Sequence, residues 1–131
     1  MTWTLDTDAG GLEISGDGAM YDYRSSDEMP WYKYRTIINT VEMEEGITTI
    51  GDYAFANLIS VWDIPLPESV EHIGNSAFFN CTGINNMHFG INVKTVGDWA
   101  FFNCMNLSWI NINEGVTDIG DCSYGIYRRS I

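Results

Sequence analysis

The chain has 131 residues, with 18 Asp and Glu against 6 Lys and Arg, for a net charge of -12. That length suits one domain, and a surface this negative repels nucleic-acid phosphates and anionic lipid, so neither is an expected partner. No run approaches the roughly 18 apolar residues of a membrane span, so membrane insertion is not expected.

The first 37 residues read as an N-terminal cap. Trp3-Thr-Leu-Asp and Leu12-Glu-Ile-Ser alternate apolar and polar residues, as half-buried strands do. The turn residues Asp8-Ala-Gly-Gly11 between them predict a hairpin. Ser15-Gly-Asp-Gly18 is a second turn, and Met20, Tyr21 and Tyr23 form a short apolar patch. Ser25-Ser-Asp-Glu-Met-Pro30 reads as the entry to a short helix carrying Trp31, Tyr32 and Tyr34. A stack of repeats exposes an apolar cross-section at its end, which this aromatic segment can cover. The alternative is an aromatic binding groove.

Residues 38–131 are built on a repeat. Ile47-Thr-Thr-Ile-Gly-Asp-Tyr-Ala-Phe-Ala-Asn-Leu58 returns as Val70-Glu-His-Ile-Gly-Asn-Ser-Ala-Phe-Phe-Asn-Cys81 and as Val93-Lys-Thr-Val-Gly-Asp-Trp-Ala-Phe-Phe-Asn-Cys104. A degenerate fourth copy begins Val116-Thr-Asp-Ile-Gly-Asp, so the starts at 47, 70, 93 and 116 are each 23 residues apart. A fixed period of this size predicts a solenoid, with three full coils and a degenerate fourth. Aligned on that step, Ile38, Val61, Ile84 and Leu107 form one apolar column. Val41, Ile64, Met87 and Ile110 form a second, and Met43, Leu66, Phe89 and Ile112 a third. The last two columns are two residues apart and share one side of a strand. They predict a parallel sheet over 40–44, 63–67, 86–90 and 109–113.

The repeated motif makes the other side of each coil. Ile50, Ile73, Val96 and Ile119 point inward from short strands. Ala54-Phe55, Ala77-Phe78 and Ala100-Phe101 are expected on a single helical turn. Gly51, Gly74, Gly97 and Gly120 predict either positive φ or no room for a Cβ. The column of Tyr53, Ser76, Trp99 and Cys122 varies and reads as surface. Asn57, Asn80 and Asn103 read as structural residues bonding backbone groups at a bend.

Cys81 and Cys104 stand where the first copy has Leu58, so they read as buried apolar thiols, with a disulfide between adjacent coils as the alternative. Cys122 reads as a free surface thiol. With no CxxC pair, two histidines and no DxDxDG loop, no metal or other cofactor is expected. Catalysis needs a nucleophile near a base or two carboxylates in a cleft. Ser123 has no His in register, so no catalytic residue is assigned and the chain reads as non-enzymatic.

The pattern V-x-x-I-G-x-x-A-F-x-N-C-x-x-L-x-x-I-x-I over Ile38 to about Tyr124 resembles the BspA-like class of bacterial leucine-rich repeats. Leu12-Glu-Ile-Ser-Gly-Asp-Gly and Pro30-Trp-Tyr are similar to the leading segment of such proteins. The resemblance implies a right-handed, β-rich leucine-rich-repeat solenoid. It also implies secreted or cell-surface proteins of host-associated bacteria, often acting in adhesion or ligand binding, with no catalytic residues. The chain departs from that pattern in its few copies and in Cys122-Ser-Tyr-Gly-Ile-Tyr, which replaces the usual Ala-Phe and Asn-Cys. Its start, Met1-Thr-Trp-Thr-Leu-Asp, carries no leader, so either the protein is cytosolic or a leader has been removed.

Outward positions on the predicted strands are the candidate binding face. One column is Thr40, Asp63, Asn86 and Trp109; the other is Glu42, Pro65, His88 and Asn111. From these, Trp109, Asn111, His88, Asn86, Asp63 and Glu42 are the candidate ligand-binding residues, with Trp109 as anchor. Alternatively, Trp109 only covers the end of the stack. Three roles compete: a module binding a host or neighbouring surface protein, a structural spacer, and a carbohydrate-binding surface. An open C-terminal coil also offers an edge through which two chains could pair.

Overall fold

The computed structural model describes residues 1–123. Its elements are β1 (Thr2–Asp6), β2 (Gly11–Ser15), β3 (Gly18–Ala19), a 3-10 helix (Tyr32–Tyr34), β4 (Thr40–Met43), β5 (Ile47–Ile50), β6 (His72–Ile73), β7 (Asn86–His88), β8 (Thr95–Val96), β9 (Trp109–Asn111) and β10 (Asp118–Ile119). There is no α-helix among the described residues, and none of their helices is long and apolar enough to cross a membrane.

The expected hairpin is present: β1 and β2 pair antiparallel from Thr2↔Ser15 to Asp6↔Gly11. Its turn is tied by the Asp6 carboxylate, which accepts the Asp8 and Ala9 N–H groups at 2.9 and 3.0 Å. Gly10 follows with a φ of 80°, a region open to glycine at little steric cost. The expected short helix shrinks to one 3-10 turn, and Trp31 precedes it rather than lying on it.

The repeated motif builds the more continuous sheet. Five strands lie in the order β10-β8-β6-β5-β3, with Thr49↔His72, His72↔Thr95 and Thr95↔Asp118 in parallel register. Each partner is 23 residues from the last. Ile50, Ile73 and Val96 are buried, as their column predicts. Ile119 is 45% exposed instead; among the described residues β10 is the last strand of this sheet, with β8 on one side.

The opposite face differs from expectation. It carries two separate sheets, β1-β2-β4 and β7-β9, and 63–67 forms no strand between them. Pro65 and Pro67 explain the break. Neither has an N–H to donate, and each fixes φ, so alternate ladder bonds are lost. The neighbouring strands are also shorter than expected, ending at Met43, His88 and Asn111. The first two inward columns nonetheless hold, with Ile38, Val41, Val61, Ile64, Ile84, Met87 and Leu107 at most 1% exposed and Ile110 half-buried, whereas in the third only Phe89 is buried and Met43, Leu66 and Ile112 are half-buried. Side-chain burial, not the backbone ladder, carries this face past the prolines.

The Ala-Phe segments are not helical. Tyr53 and Asn57 take φ of 60° and 67°, and the equivalent Ser76, Asn80, Trp99 and Asn103 lie between 56° and 62°. A left-handed residue on each side of Ala-Phe bars a helix. What forms is a chain of tight turns, with Ala54 N–H to Gly51 carbonyl at 3.1 Å and Ala56 N–H to Tyr53 carbonyl at 3.0 Å. The alternate N–H groups point along the stack. Those of Tyr53, Phe55 and Asn57 donate to the carbonyls of Asn75, Ala77 and Phe79, at 3.0, 2.8 and 2.8 Å. Ser76, Phe78 and Asn80 repeat the pattern onto Asp98, Ala100 and Phe102. The slot read as surface is mixed: Trp99, at 42%, and Cys122 are exposed, Tyr53 is half-buried, and only Ser76, at 7%, is buried.

The repeated glycines keep negative φ, contrary to one of the two expectations, and satisfy the other. A Cβ on Gly74, Gly97 or Gly120 would lie 2.8, 2.6 and 2.6 Å from the backbone nitrogen of Asp52, Asn75 and Asp98 in the preceding repeat. The residue after each glycine ties the repeats together. Asn75 N–H reaches the Asp52 carboxylate, Asp98 N–H the Asn75 amide oxygen, and Asp121 N–H the Asp98 carboxylate, all at 2.8 Å.

Phe55, Phe78 and Phe101 fill the core and stack along it, at 5.8 and 5.1 Å between ring centres. Cys81 and Cys104 are buried free thiols, as their slot predicts, and donate to the Phe55 and Phe78 carbonyls at 3.0 and 3.1 Å. The asparagines form a side-chain ladder. The Asn103 amide donates to Asn80 at 2.6 Å, Asn80 to Asn57 at 2.9 Å, and Asn57 to the Ser26 carbonyl at 2.7 Å. Only the last of these bonds goes to backbone, so the expected role is met at one asparagine and replaced by mutual bonding at the other two.

Candidate functional site

The strand face places the six candidate residues in three settings. Asn86 and His88 on β7, and Trp109 and Asn111 on β9, come together in one parallel pair with Asn86↔Trp109 and His88↔Asn111 in register. The imidazole of His88 meets the Trp109 indole edge to face, with centres 4.9 Å apart and planes at 73°. Both side chains are exposed, and Trp109 is 47% so. Glu42 is exposed on β4, in the other sheet. Asp63 lies half-buried in the irregular segment between the two. The proline break thus divides the site: an aromatic and amide group on one side, Glu42 on the other, and Asp63 in the break, lining one depression with His88.

The break also shapes the surface. One shallow depression is lined by Glu13, Ile14, Ser15, Glu42, Met43 and Glu44. A second is lined by Glu42, Met43, Glu45, Pro65, Leu66 and Pro67. A third is lined by Asp63, Ile64, Pro65, Leu66, His88, Phe89 and Gly90. The first two share Glu42 and Met43; the last two share Pro65 and Leu66. The three therefore lie in a row across the repeats, a discontinuous furrow of three hollows.

Sequence reasoning missed the N-terminal end of this furrow. Strand β2 joins the face by pairing parallel with β4, which puts Leu12 beside Val41, Glu13 beside Glu42 and Ile14 beside Met43. The signal was present: Leu12 and Ile14 are two apart, like Val41 and Met43, and both are buried. The unequal spacing from 12 to 41, outside the repeat period, hid the match.

Other chemistry is sparse. His72 lies on the opposite sheet, where its Nδ1 is 2.8 Å from the Thr95 hydroxyl, so the two histidines occupy different faces. Among the described residues no three His, Cys, Asp or Glu side chains come together to hold a metal. The Ser123 hydroxyl is within reach of the Gly97 and Gly120 carbonyls, at 2.9 and 2.7 Å, and serves the backbone. Burial pushes the Cys81 thiol well up and the Cys104 thiol up to about 12, which holds both as unreactive thiols. The exposed thiol is that of Cys122, as expected. Burial, with the charge of Asp22 adding to it, also raises the Asp52 carboxyl despite the N–H it accepts from Asn75.

Residues 31–126 match the BspA type Leucine rich repeat region, in six copies. A leucine-rich repeat protein from Eubacterium ventriosum is similar in structure, with a TM-score of 0.68 and 28% identity over 89% of this chain and 37% of that one. A leucine rich cell surface protein from Faecalibacterium prausnitzii is similar in fold, with a TM-score of 0.56 and 17% identity over 94% of this chain and 44% of that one. This chain therefore spans less than half of either protein. No curated protein matches it.

Proposed function

Because the chain belongs to the BspA-type leucine-rich-repeat family of bacterial proteins, we propose that it is a non-enzymatic protein-binding module acting in adhesion through its strand face. Repeats of this kind serve as protein-interaction surfaces. The observation that carries the reading is the exposed His88–Trp109 pair beside Asn86 and Asn111, at one end of a furrow crossing the repeats. An exposed Trp held by a neighbouring ring is preorganised as an anchor, which lowers the cost of ordering it on binding.

In this reading the architecture is a right-handed solenoid of 23-residue coils, with residues 1–37 as its cap and 38–131 as the repeat array. Two observations support the cap. The hairpin extends one sheet through β2, and Trp31 stacks at 6.2 Å on Phe55, the first ring of the core column. A secreted or cell-surface location is part of the same proposal and is consistent with the fold shared with the Faecalibacterium prausnitzii surface protein. A homodimer would form through the C-terminal coil, at the outer edges of β9 and β10, each of which has a neighbour on one side only among the described residues.

The test is binding of the purified chain to an array of immobilised extracellular host proteins. Saturable binding that Trp109→Ala abolishes, with an unchanged melting temperature, is expected. Binding that survives Trp109→Ala together with His88→Ala would place function elsewhere. Sedimentation across a range of concentrations checks the dimer, and purely monomeric behaviour would remove it.

A further inference from the structure

The furrow has a chemical polarity along its length, and that polarity specifies a partner. Its apolar surface is the exposed Pro65 with the half-buried Met43 and Leu66, backed by Phe89, which is only 6% exposed. Its N-terminal rim is acidic. Glu13 and Glu42 sit directly opposite each other in the β2–β4 register, and both are exposed. Like charges so placed destabilise a sheet. No Lys or Arg offsets them among the described residues. Arg24 lies 3.8 Å from Glu28, and Lys94 lies 4.0 Å from Glu71. Lys33 and Arg35 sit over the rings of Tyr34 and Tyr32. Nearby Glu44 and Glu45 are partly engaged by the backbone N–H groups of Gly16, Glu68 and Ser69, whereas Glu13, Glu42 and Asp63 make no ion pair there.

We infer that the furrow takes an extended, basic segment of a protein partner, with Lys or Arg side chains against Glu13, Glu42 and Asp63 and apolar side chains on Met43, Pro65 and Leu66. This rests on the strand-face reading above and adds the chemistry of the occupant. The furrow supplies both recognition elements in one line: opposite charge along the rim, which steers the partner in and fixes its direction, and apolar area along the floor, which holds it. An anionic partner would meet uncompensated carboxylates, so the same rim selects against it.

The probe is a short peptide alternating Lys and Leu, with its Glu-Leu counterpart as control, titrated by fluorescence anisotropy into the whole chain. The Lys-Leu peptide is expected to bind, and to weaken on raising salt from about 50 to about 500 mM. The double variant Glu13→Gln/Glu42→Gln should weaken it roughly tenfold or more, while Glu114→Gln/Asp118→Asn, equal in charge removed but off the furrow, changes it less than about twofold. Both acidic pairs are exposed, so folding is retained, which circular dichroism checks. Equal loss in the two double variants, equal binding of the Glu-Leu peptide, or no binding would each overturn the inference. The strand-face reading fails separately, through the Trp109→Ala array experiment.

Discussion

The indole of Trp31 lies 6.2 Å from the ring of Phe55, with 24° between their planes, and its N–H donates to the Ala54 carbonyl at 3.0 Å. Trp31 thus heads the column that Phe55, Phe78 and Phe101 continue. It is 2% exposed and carries the edge-on contacts of Trp3 and Tyr23, at 5.6 and 6.1 Å. Trp31→Ala should therefore cost about 3–5 kcal/mol. Trp31→Phe, which keeps a ring on Phe55 but loses the hydrogen bond, should cost less. Chemical denaturation measures both, and equal costs would show that stacking on Phe55 contributes nothing.

The left-handed asparagines separate backbone strain from hydrogen bonding. Asn80 has φ of 61° and sits in mid-ladder between Asn57 and Asn103. Asn80→Ala should destabilise by about 2–4 kcal/mol, because it loses the ladder and forces an alanine into that conformation. Asn80→Gly removes the strain and should cost roughly half as much. If glycine proved the worse substitution, φ would not be the reason for asparagine here.

Gly74→Ala tests the close approach of repeats. The new Cβ would lie 2.8 Å from the Asp52 nitrogen and equally close to the Gly51 carbonyl carbon. Both are backbone atoms and cannot turn aside, so the repeats must part. Thermal melting should show a loss of about 2 kcal/mol or more. Gly18→Ala, where a Cβ meets nothing within 4 Å although φ is 88°, should cost only the conformational term.

The thiols give a pH dependence with a defined sign. The folded Cys104 thiol is pushed up to about 12 from an ordinary value of 9.0, and Cys81 is also raised. The unfolded chain therefore releases these protons first. Their contribution to stability is whole below about pH 9 and is lost as pH rises towards 12, by roughly 1.4 kcal/mol per pH unit for each thiol. Cys104→Ala should flatten that alkaline decline. At neutral pH, Ellman's reagent should label Cys122 alone until the chain unfolds; fast labelling of Cys81 would contradict its burial.

Much of the architecture was legible because it depends on side-chain period. The 23-residue step alone identified the inward columns, and Ile38, Val61, Ile84 and Leu107 are buried as that step requires. It also identified the crowded glycines and the buried cysteine slot, since each is a demand the same geometry makes in every copy. Backbone conformation was less legible. Ala-Phe reads equally well as a helical turn or as tight turns, and the choice lay in the positive φ of Tyr53 and Asn57, residue types that occupy many conformations.

What tertiary structure decided was mostly at the candidate site. The outward columns named Asn86, His88, Trp109 and Asn111 correctly as neighbours, because strand register follows from the period. They could not show that Pro65 and Pro67 split the face into two sheets, since burial and hydrogen bonding compete there and only packing shows burial prevailing. Nor could they place Glu13 beside Glu42, because the pairing of β2 with β4 lies outside the repeat. The period determined which residues face in and which face out. The furrow arose from where that period meets two prolines and an N-terminal hairpin.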